Sequence, residues 1–219
     1  MIKEGYWYGL PLVLAAGGLF GFGLFWPGAF FWVAGCVFLI LALLVLNFFR
    51  DPEREIPTDP DAIISPADGR VVDIRDEEFD GRPVRRVSIF MSPLDVHVNR
   101  APIAGSISAV VYHRGAFRIA SGPRASVENE QNVFTVAGEQ GVVVAKQIAG
   151  AVARRIVFWK KPGDPVARGE RVGLIKFGSR VDVLMEPAVA IRVRVGEHVL
   201  AGSSVLAANR PRSRNPGRQ

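Results

Sequence analysis

The stretch "GEHVLAGSSVLA", residues 196–207, shares its pattern with the stretch "GDPVARGERVGLI", residues 163–175. Each begins with glycine and an acidic residue, reaches a second glycine after an apolar residue, and then returns to apolar residues. Aligning the two places Gly169 over Gly202. Glycine adopts the positive φ that a tight turn needs at no steric cost. The repeat therefore predicts two turns of the same construction, each flanked by short apolar strands.

The residue that follows these glycines differs between the two copies. Glu170 stands in one turn and Ser203 in the other, so the turn itself does not require serine. Taken alone, Gly202-Ser203-Ser204 is an ordinary turn sequence, because serine hydroxyls bond the local backbone. A chemical role for Ser203 has to be argued from the rest of the chain.

The chain after residue 61 consists of short β-type segments separated by Gly, Pro and Asp. They are 69–74, 85–91, 105–113, 131–138, 141–150, 154–159, 180–185 and 190–195. Many alternate apolar and polar residues, which predicts a β barrel or sandwich. The V-x-x-G-x-x-V turns look like those of lipoyl- and biotinyl-type barrels, and "ISPADGRVVDI" (64–74) and "APIAGSISAVV" (101–111) look like their opening strands. We expect a mainly β (α+β) fold, a compact barrel or sandwich domain with lipoyl-like hairpins over 62–207.

An uncharged apolar run of residues 5–49 precedes this domain. It is longer than the roughly 20 residues that one membrane span needs, and Pro27-Gly28 divides it in two. The run predicts an N-terminal transmembrane helical hairpin, domain 1–49, with helices at about 6–26 and 29–49. The alternative is a helical hairpin buried in a soluble core. The charged, Pro-rich segment 50–61 is expected to be a linker, and 208–219 a basic tail.

Charge and cysteine content narrow the partners. The net charge of +6 and the pI near 10.0 favour an anionic partner. Lys3 before the apolar run and Arg50 and Arg54 after it predict the cell membrane as location, with the folded domain on its cytoplasmic face. That orientation favours membrane lipid over nucleic acid, for which no motif is present. The single Cys36 and three histidines predict no internal disulfide and no metal site.

Several short stretches now stand together in a fixed order. They are "SPADGRV" (65–71), "SPLDVHVNRAPIAG" (92–105), "ENEQN" (128–132), "KFGSRVDVLMEP" (176–187) and "VLAGSSVLA" (199–207). Each is weak evidence alone. Together, over about residues 50–207, they resemble the phosphatidylserine decarboxylases in their shorter bacterial and archaeal form.

This resemblance implies a pyruvoyl-dependent carboxy-lyase made by self-cleavage. The proenzyme would break at Gly202-Ser203 into a β chain, 1–202, and an α chain, 203–219, with the pyruvoyl group derived from Ser203. That group would form a Schiff base with phosphatidylserine and release CO₂ to give phosphatidylethanolamine. The implied partners are phosphatidylserine, membrane lipid and the two chains of one proenzyme. A homo-oligomer is left open, and no metal cofactor is expected.

The resemblance also implies roles for the bases. Asp68 matches the carboxylate of the family's "SPxDG" and would orient a histidine, which would deprotonate Ser203. His97 matches the first histidine of the family's "DYHRVH", whereas Arg100 stands at the position of the second. His97 is therefore expected to act both as base in self-cleavage and as proton donor in turnover. His113 and His198 remain alternatives for one of these steps.

Two further assignments stay open. "FGSR" (177–180) also contains Gly-Ser, so Ser179 is a rival cleavage site. The resemblance instead implies that Ser179 and Arg180 help bind the substrate head group, with a solvated surface arginine as the alternative for Arg180.

Two other functions compete with the decarboxylase reading. One is a membrane-anchored, non-enzymatic lipoyl-like domain, which would need a lysine that neither turn carries. The other is a relative that acts on another head group.

Overall fold

The computed structural model describes residues 1–26, 28–120, 122, 125–151, 155–176 and 179–209. The chain divides into two compact units, residues 1–53 and 54–219. The predicted tail falls almost entirely on residues 210–219, which lie outside the described residues. The predicted linker 50–61 is divided between the two units, since the boundary falls between Glu53 and Arg54.

The first unit is a pair of helices, α1 (Lys3–Phe25) and α2 (Ala29–Phe48). Both are long and apolar enough to cross a membrane by length and composition. Small residues let them pack closely: a Cβ added to Gly9 would lie 2.5 Å from Leu46, and one added to Gly35 would lie 2.5 Å from Phe20. The helical hairpin is thus confirmed. Its first helix begins three residues earlier than expected, because Lys3 and Glu4 are good helix formers.

The second unit is built mainly of strands. They are β1 (Ala62–Ile64), β2 (Gly69–Phe79), β3 (Arg82–Met91), β4 (Val98–Arg100), β5 (Gly105–His113), β6 (Gln131–Gly138), β7 (Gly141–Ala149), β8 (Arg155–Phe158), β9 (Pro165–Val166), β10 (Arg171–Lys176), β11 (Ser179–Met185), β12 (Ala190–Ile191), β13 (His198–Val199) and β14 (Val205–Ala208). One short helix, α3 (Ala125–Glu128), precedes β6. Two predicted strands, 105–113 and 131–138, have the observed bounds. The predicted strand 190–195 shortens to β12, because the chain turns where the Glu197 carboxylate accepts the N–H of Arg194 (3.0 Å).

The strands form three antiparallel sheets around one apolar core. The largest has eight strands in the order β13-β2-β3-β11-β7-β6-β5-β9, and it curls into half a barrel. The two smaller sheets have the orders β1-β14-β12 and β4-β10-β8. Alternate side chains such as Ile89, Phe134 and Val183 are fully buried inside the curl. The expected mainly β fold is confirmed.

The two predicted turns have the same backbone construction. Gly169 and Gly202 have φ of +79° and +83°. The N–H of Gly169 donates to the carbonyl of Ala101 (2.9 Å), and the N–H of Gly202 donates to that of Ser65 (2.8 Å). Ser65 and Ala101 begin the two similar stretches of the sequence, so the internal repeat is a structural repeat.

The strands beside these turns are not paired as hairpins, which differs from the expectation. β9 pairs with β5 and β10 with β4 and β8, while β13 pairs with β2 and β14 with β1 and β12. β9 and β13 have only two residues each, enough to join an edge of the large sheet. Each turn therefore carries the chain from the large sheet to a small one, and the two turns come together where the sheets meet.

Close backbone contact explains one conserved element of the repeat's geometry, the glycine that opens β5. A Cβ on Gly105 would lie 2.1 Å from the carbonyl oxygen of Ala137. We expect Gly105→Ala to lower the free energy of unfolding by ~3 kcal/mol or more, because the β5–β6 pairing must shift. Gly163→Ala is the control: its φ is +93°, but no atom lies within 4 Å of the new Cβ, so a loss of ~1 kcal/mol is expected. Equal losses in thermal unfolding of the two variants would contradict the backbone-contact explanation.

Candidate active site

Asp68 lies in the turn between β1 and β2 and is 3% exposed. Its Oδ1 accepts the backbone N–H of Ala201 (2.7 Å), and its Oδ2 accepts from Nη2 of Arg54 (2.7 Å). Burial raises the pKa of Asp68 above its ordinary value, while the N–H of Ala201 and the charge of Arg54 act to lower it. The charge of Asp95 raises that pKa further, which means that the two carboxylates are electrostatically coupled.

His97 lies directly before β4 and is 2% exposed. Its Nδ1 is 2.9 Å from the backbone carbonyl oxygen of Asp95. A carbonyl oxygen only accepts, so Nδ1 is the protonated nitrogen. In the neutral ring, Nε2 then carries the lone pair. This contact therefore prepares His97 to take a proton at Nε2.

Asp95 joins His97 to a second histidine. Its Oδ1 is 3.0 Å from Nε2 of His198, and its Oδ2 accepts the N–H of Ser92 (2.7 Å). His198 is thus brought to the same cluster as His97, as one of the alternatives required. The other alternative, His113, lies at the end of β5 opposite Gln131.

The turn at Ser203 is held by backbone contacts on both sides. The N–H of Ser203 donates to the carbonyl of Leu200 (3.2 Å), and Oγ of Ser204 accepts the N–H of Leu200 (2.9 Å). Ser65 closes the arrangement, because its N–H donates to the carbonyl of Ser204 (2.8 Å). The structure brings Asp68 to this turn through Ala201, and it leaves Ser203 half-buried.

Ser179 is the first residue of β11 and is fully buried. Its Oγ lies 3.3 Å from Sδ of Met91, and the same sulfur is 3.9 Å from Nδ2 of Asn99. The N–H of Ile175 donates to the carbonyl of His97 (3.3 Å), which places His97 beside the end of β10. Only Phe177 and Gly178, outside the described residues, separate that strand from Ser179.

Arg180 is 3% exposed, so the surface alternative for this residue was wrong. Its Nε pairs with Oδ1 of Asp182 (2.6 Å) and its Nη2 donates to Oγ of Ser88 (2.7 Å). Ser126 donates to the other oxygen of Asp182 (2.7 Å). Such a pair survives burial because each charge finds its partner inside the fold. Its role in binding a head group stays a prediction.

Sequence reasoning missed two residues of this region. Asp95 stands in the quoted "LDVH", where its spacing to His97 was a usable signal. Arg54 was assigned to the linker, and nothing local marks its contact with a carboxylate 14 residues away. Among the described residues, no group of three or more His, Cys, Asp or Glu side chains could hold a metal ion.

Comparison with known proteins agrees with this arrangement. Residues 41–207 match the family described as phosphatidylserine decarboxylase. The chain is 50% identical over 211 residues to the phosphatidylserine decarboxylase proenzyme of Solibacter usitatus, which covers 94% of this chain and 96% of that protein. It is 43% identical over 190 residues to the protein of the same name from Burkholderia lata, with 85% and 84% covered. For that of Oleidesulfovibrio alaskensis the identity is 44% over 182 residues, with 82% and 84% covered.

The fold and the site together define a β-barrel-like enzyme domain, preceded by an apolar helical hairpin, with histidine and carboxylate side chains gathered where the sheets meet. The chain belongs to the phosphatidylserine decarboxylase family, whose members are carboxy-lyases.

Proposed function

We propose that this chain is a phosphatidylserine decarboxylase, made as a proenzyme that cleaves itself to generate a covalent pyruvoyl group. The family match, which spans every strand of the second unit, is the observation that carries the proposal. The product is phosphatidylethanolamine. The two apolar helices support a membrane location, where the substrate also resides. The basic flanks of the helices support a cytoplasmic position for the catalytic domain.

Two Gly-Ser bonds compete as the cleavage site. The sequence pattern favours Gly202-Ser203, which would give chains 1–202 and 203–219. The structural repeat, however, supplies a reason for Gly202 that needs no chemistry. Gly169 has the same φ and the same backbone hydrogen bond in the other turn, where Glu170 follows it. The geometry of the Gly202 turn is therefore required by the barrel.

The surroundings of Ser179 support cleavage at Gly178-Ser179 instead. Ser179 and His97 are both almost fully buried, and His97 lies beside the strand that leads to this bond. The nearest recorded neighbour of Oγ of Ser179 is the Met91 thioether, a weak acceptor that leaves the hydroxyl available for attack. We therefore propose a β chain of residues 1–178 and an α chain of residues 179–219. The Ser203 assignment stands as the competing prediction.

The chemistry needs a base, an open carbonyl and a dry site. His97 would take the hydroxyl proton at Nε2, and the oxygen of Ser179 would attack the carbonyl of Gly178, which carries no Cβ to hinder approach. The ester that results must lose its acyl part by elimination, because hydrolysis would leave only serine. Burial of Ser179 favours elimination, since water is excluded.

The later steps place further demands on the same residues. Dehydration of the serine and loss of ammonia leave a ketone at the new N-terminus, which supplies the electron sink for loss of CO₂. His97 would then return a proton to the substrate carbon. Asp68 and Asp95 lie in the same electrostatic neighbourhood and favour the charged form of a nearby histidine.

Intact mass of the purified chain tests the function and the site together. We expect two chains, the smaller one being the 41 residues 179–219 with an N-terminal ketone. A 17-residue small chain, residues 203–219, would support the Ser203 assignment instead. A single unbroken chain of 219 residues, without phosphatidylserine turnover, would refute the proposed function.

A further inference from the structure

The segment that follows the apolar helices is docked against the site rather than free. Ile56 fills the space between the two repeat turns. Its Cδ1 lies 2.3 Å from the position of a Cβ on Gly169 and 3.3 Å from that on Gly202. Only glycine at these two positions leaves room for this side chain.

Arg168 holds the rest of the segment in place. Its Nη2 donates to the carbonyl of Pro57 (2.6 Å), and its Nη1 donates to the carbonyl of Ala62 (3.2 Å). These bonds fix the backbone on either side of the segment's middle. A side chain that enters from this segment is therefore held in one position.

Arg54 enters the site from the start of the segment. Its Nη2 meets Oδ2 of Asp68 at 2.7 Å, and the side chains of Arg54 and Asp68 are only 12% and 5% exposed. The Cβ of Arg54 also lies 3.4 Å from the position of a Cβ on Gly202, and the Cδ of Arg100 lies 3.0 Å from it. Little water can screen this ion pair, so it is stronger than a surface pair.

The charges around Asp68 explain why a partner is needed there. Asp95 faces it with the same sign, and burial also disfavours its ionised form. Arg54 opposes both effects. His198 contacts Asp95, and Arg100 packs beside Gly202 and donates to the carbonyl of Gly169 (3.1 Å). Of these groups, Arg54 makes the direct contact with a carboxylate oxygen of Asp68.

We propose that Arg54 is a positioning residue of the active site, which holds Asp68 ionised and correctly oriented for self-cleavage. The inference rests on the proposed function. It makes the segment after the membrane helices a part of the catalytic machinery, rather than a passive tether.

The test follows self-cleavage of the full chain after cell-free synthesis in detergent micelles. Arg54→Ala removes the charge that lowers the pKa of Asp68, so the pKa rises and less carboxylate is present in acid. We expect cleavage of Arg54→Ala to be about tenfold or more slower than wild type at pH 6, with the ratio shrinking at pH 8.5. Arg54→Lys keeps the charge and should recover most of the rate at pH 6.

Arg85→Ala is the matched control, because it removes an arginine that pairs with Asp76 at the surface. Its rate should equal that of wild type at both pH values. If Arg54→Ala is as slow at pH 8.5 as at pH 6, or as fast as wild type at both, the inference is overturned. Should Arg54→Ala fail to fold by circular dichroism, Arg54→Lys decides: cleavage as in wild type supports the inference, and cleavage equally slow at both pH values overturns it. Failure of wild type itself to cleave would refute the proposed function instead.

Discussion

Ser179→Ala is expected to remain a single 219-residue chain with no measurable decarboxylation. The variant lacks the hydroxyl that attacks the preceding carbonyl, so neither the chain break nor the pyruvoyl group can form. Loss of a covalent group of this kind lowers turnover by at least ~10⁴-fold. The fold should tolerate the change, because Ala fits the buried site and only a contact with the Met91 sulfur is lost.

Ser203→Ala is the matched control for this prediction. It also replaces a serine after glycine, but in the turn whose copy carries Glu170 without a hydroxyl of this kind. We expect normal cleavage and activity within a fewfold of wild type. Electrophoresis and mass spectrometry of both variants, with a decarboxylation assay on phosphatidylserine in micelles, give the answer. The reverse pattern, an unbroken Ser203→Ala and a cleaved Ser179→Ala, would return the site to Gly202-Ser203.

His97→Ala is expected to slow both self-cleavage and turnover. Loss of a general acid–base group lowers the rate of the step it serves by about 10²–10⁴-fold. Because Nδ1 of His97 is held by the carbonyl of Asp95, Nε2 has no equivalent in the variant. The two effects are separated by measuring the cleavage rate and then the turnover per cleaved chain.

The outcomes for His97→Ala divide the possible roles. Normal cleavage with lost turnover would confine His97 to proton donation in decarboxylation. Normal values of both would move the base to His198, the histidine that shares Asp95 with it. His113→Ala serves as control, and both its rates should match wild type. Thermal unfolding of each variant checks that the buried site remains folded.

The secondary structure was predictable because it depends on local patterns. Uncharged runs of the length of α1 and α2, and alternating stretches such as β5 and β6, carry their own period in the sequence. The two turn glycines were also found from a repeat of spacing. The pairing of β9 and β13 was not predictable, since it depends on which sheet edge lies nearby after folding.

The sequence by itself determined the class of the protein: an apolar helical hairpin, a β domain with an internal repeat, and the motifs of a decarboxylase family. These follow from residue order and spacing, which exist before the chain folds. Only the tertiary structure decided what each Gly-Ser and each charge faces. Asp68 meets Arg54 from 14 positions away and Ala201 from 133 positions away, and no local pattern encodes such contacts. The buried place of Ser179 and the structural need for Gly202 arise in the same way, where the sheets meet.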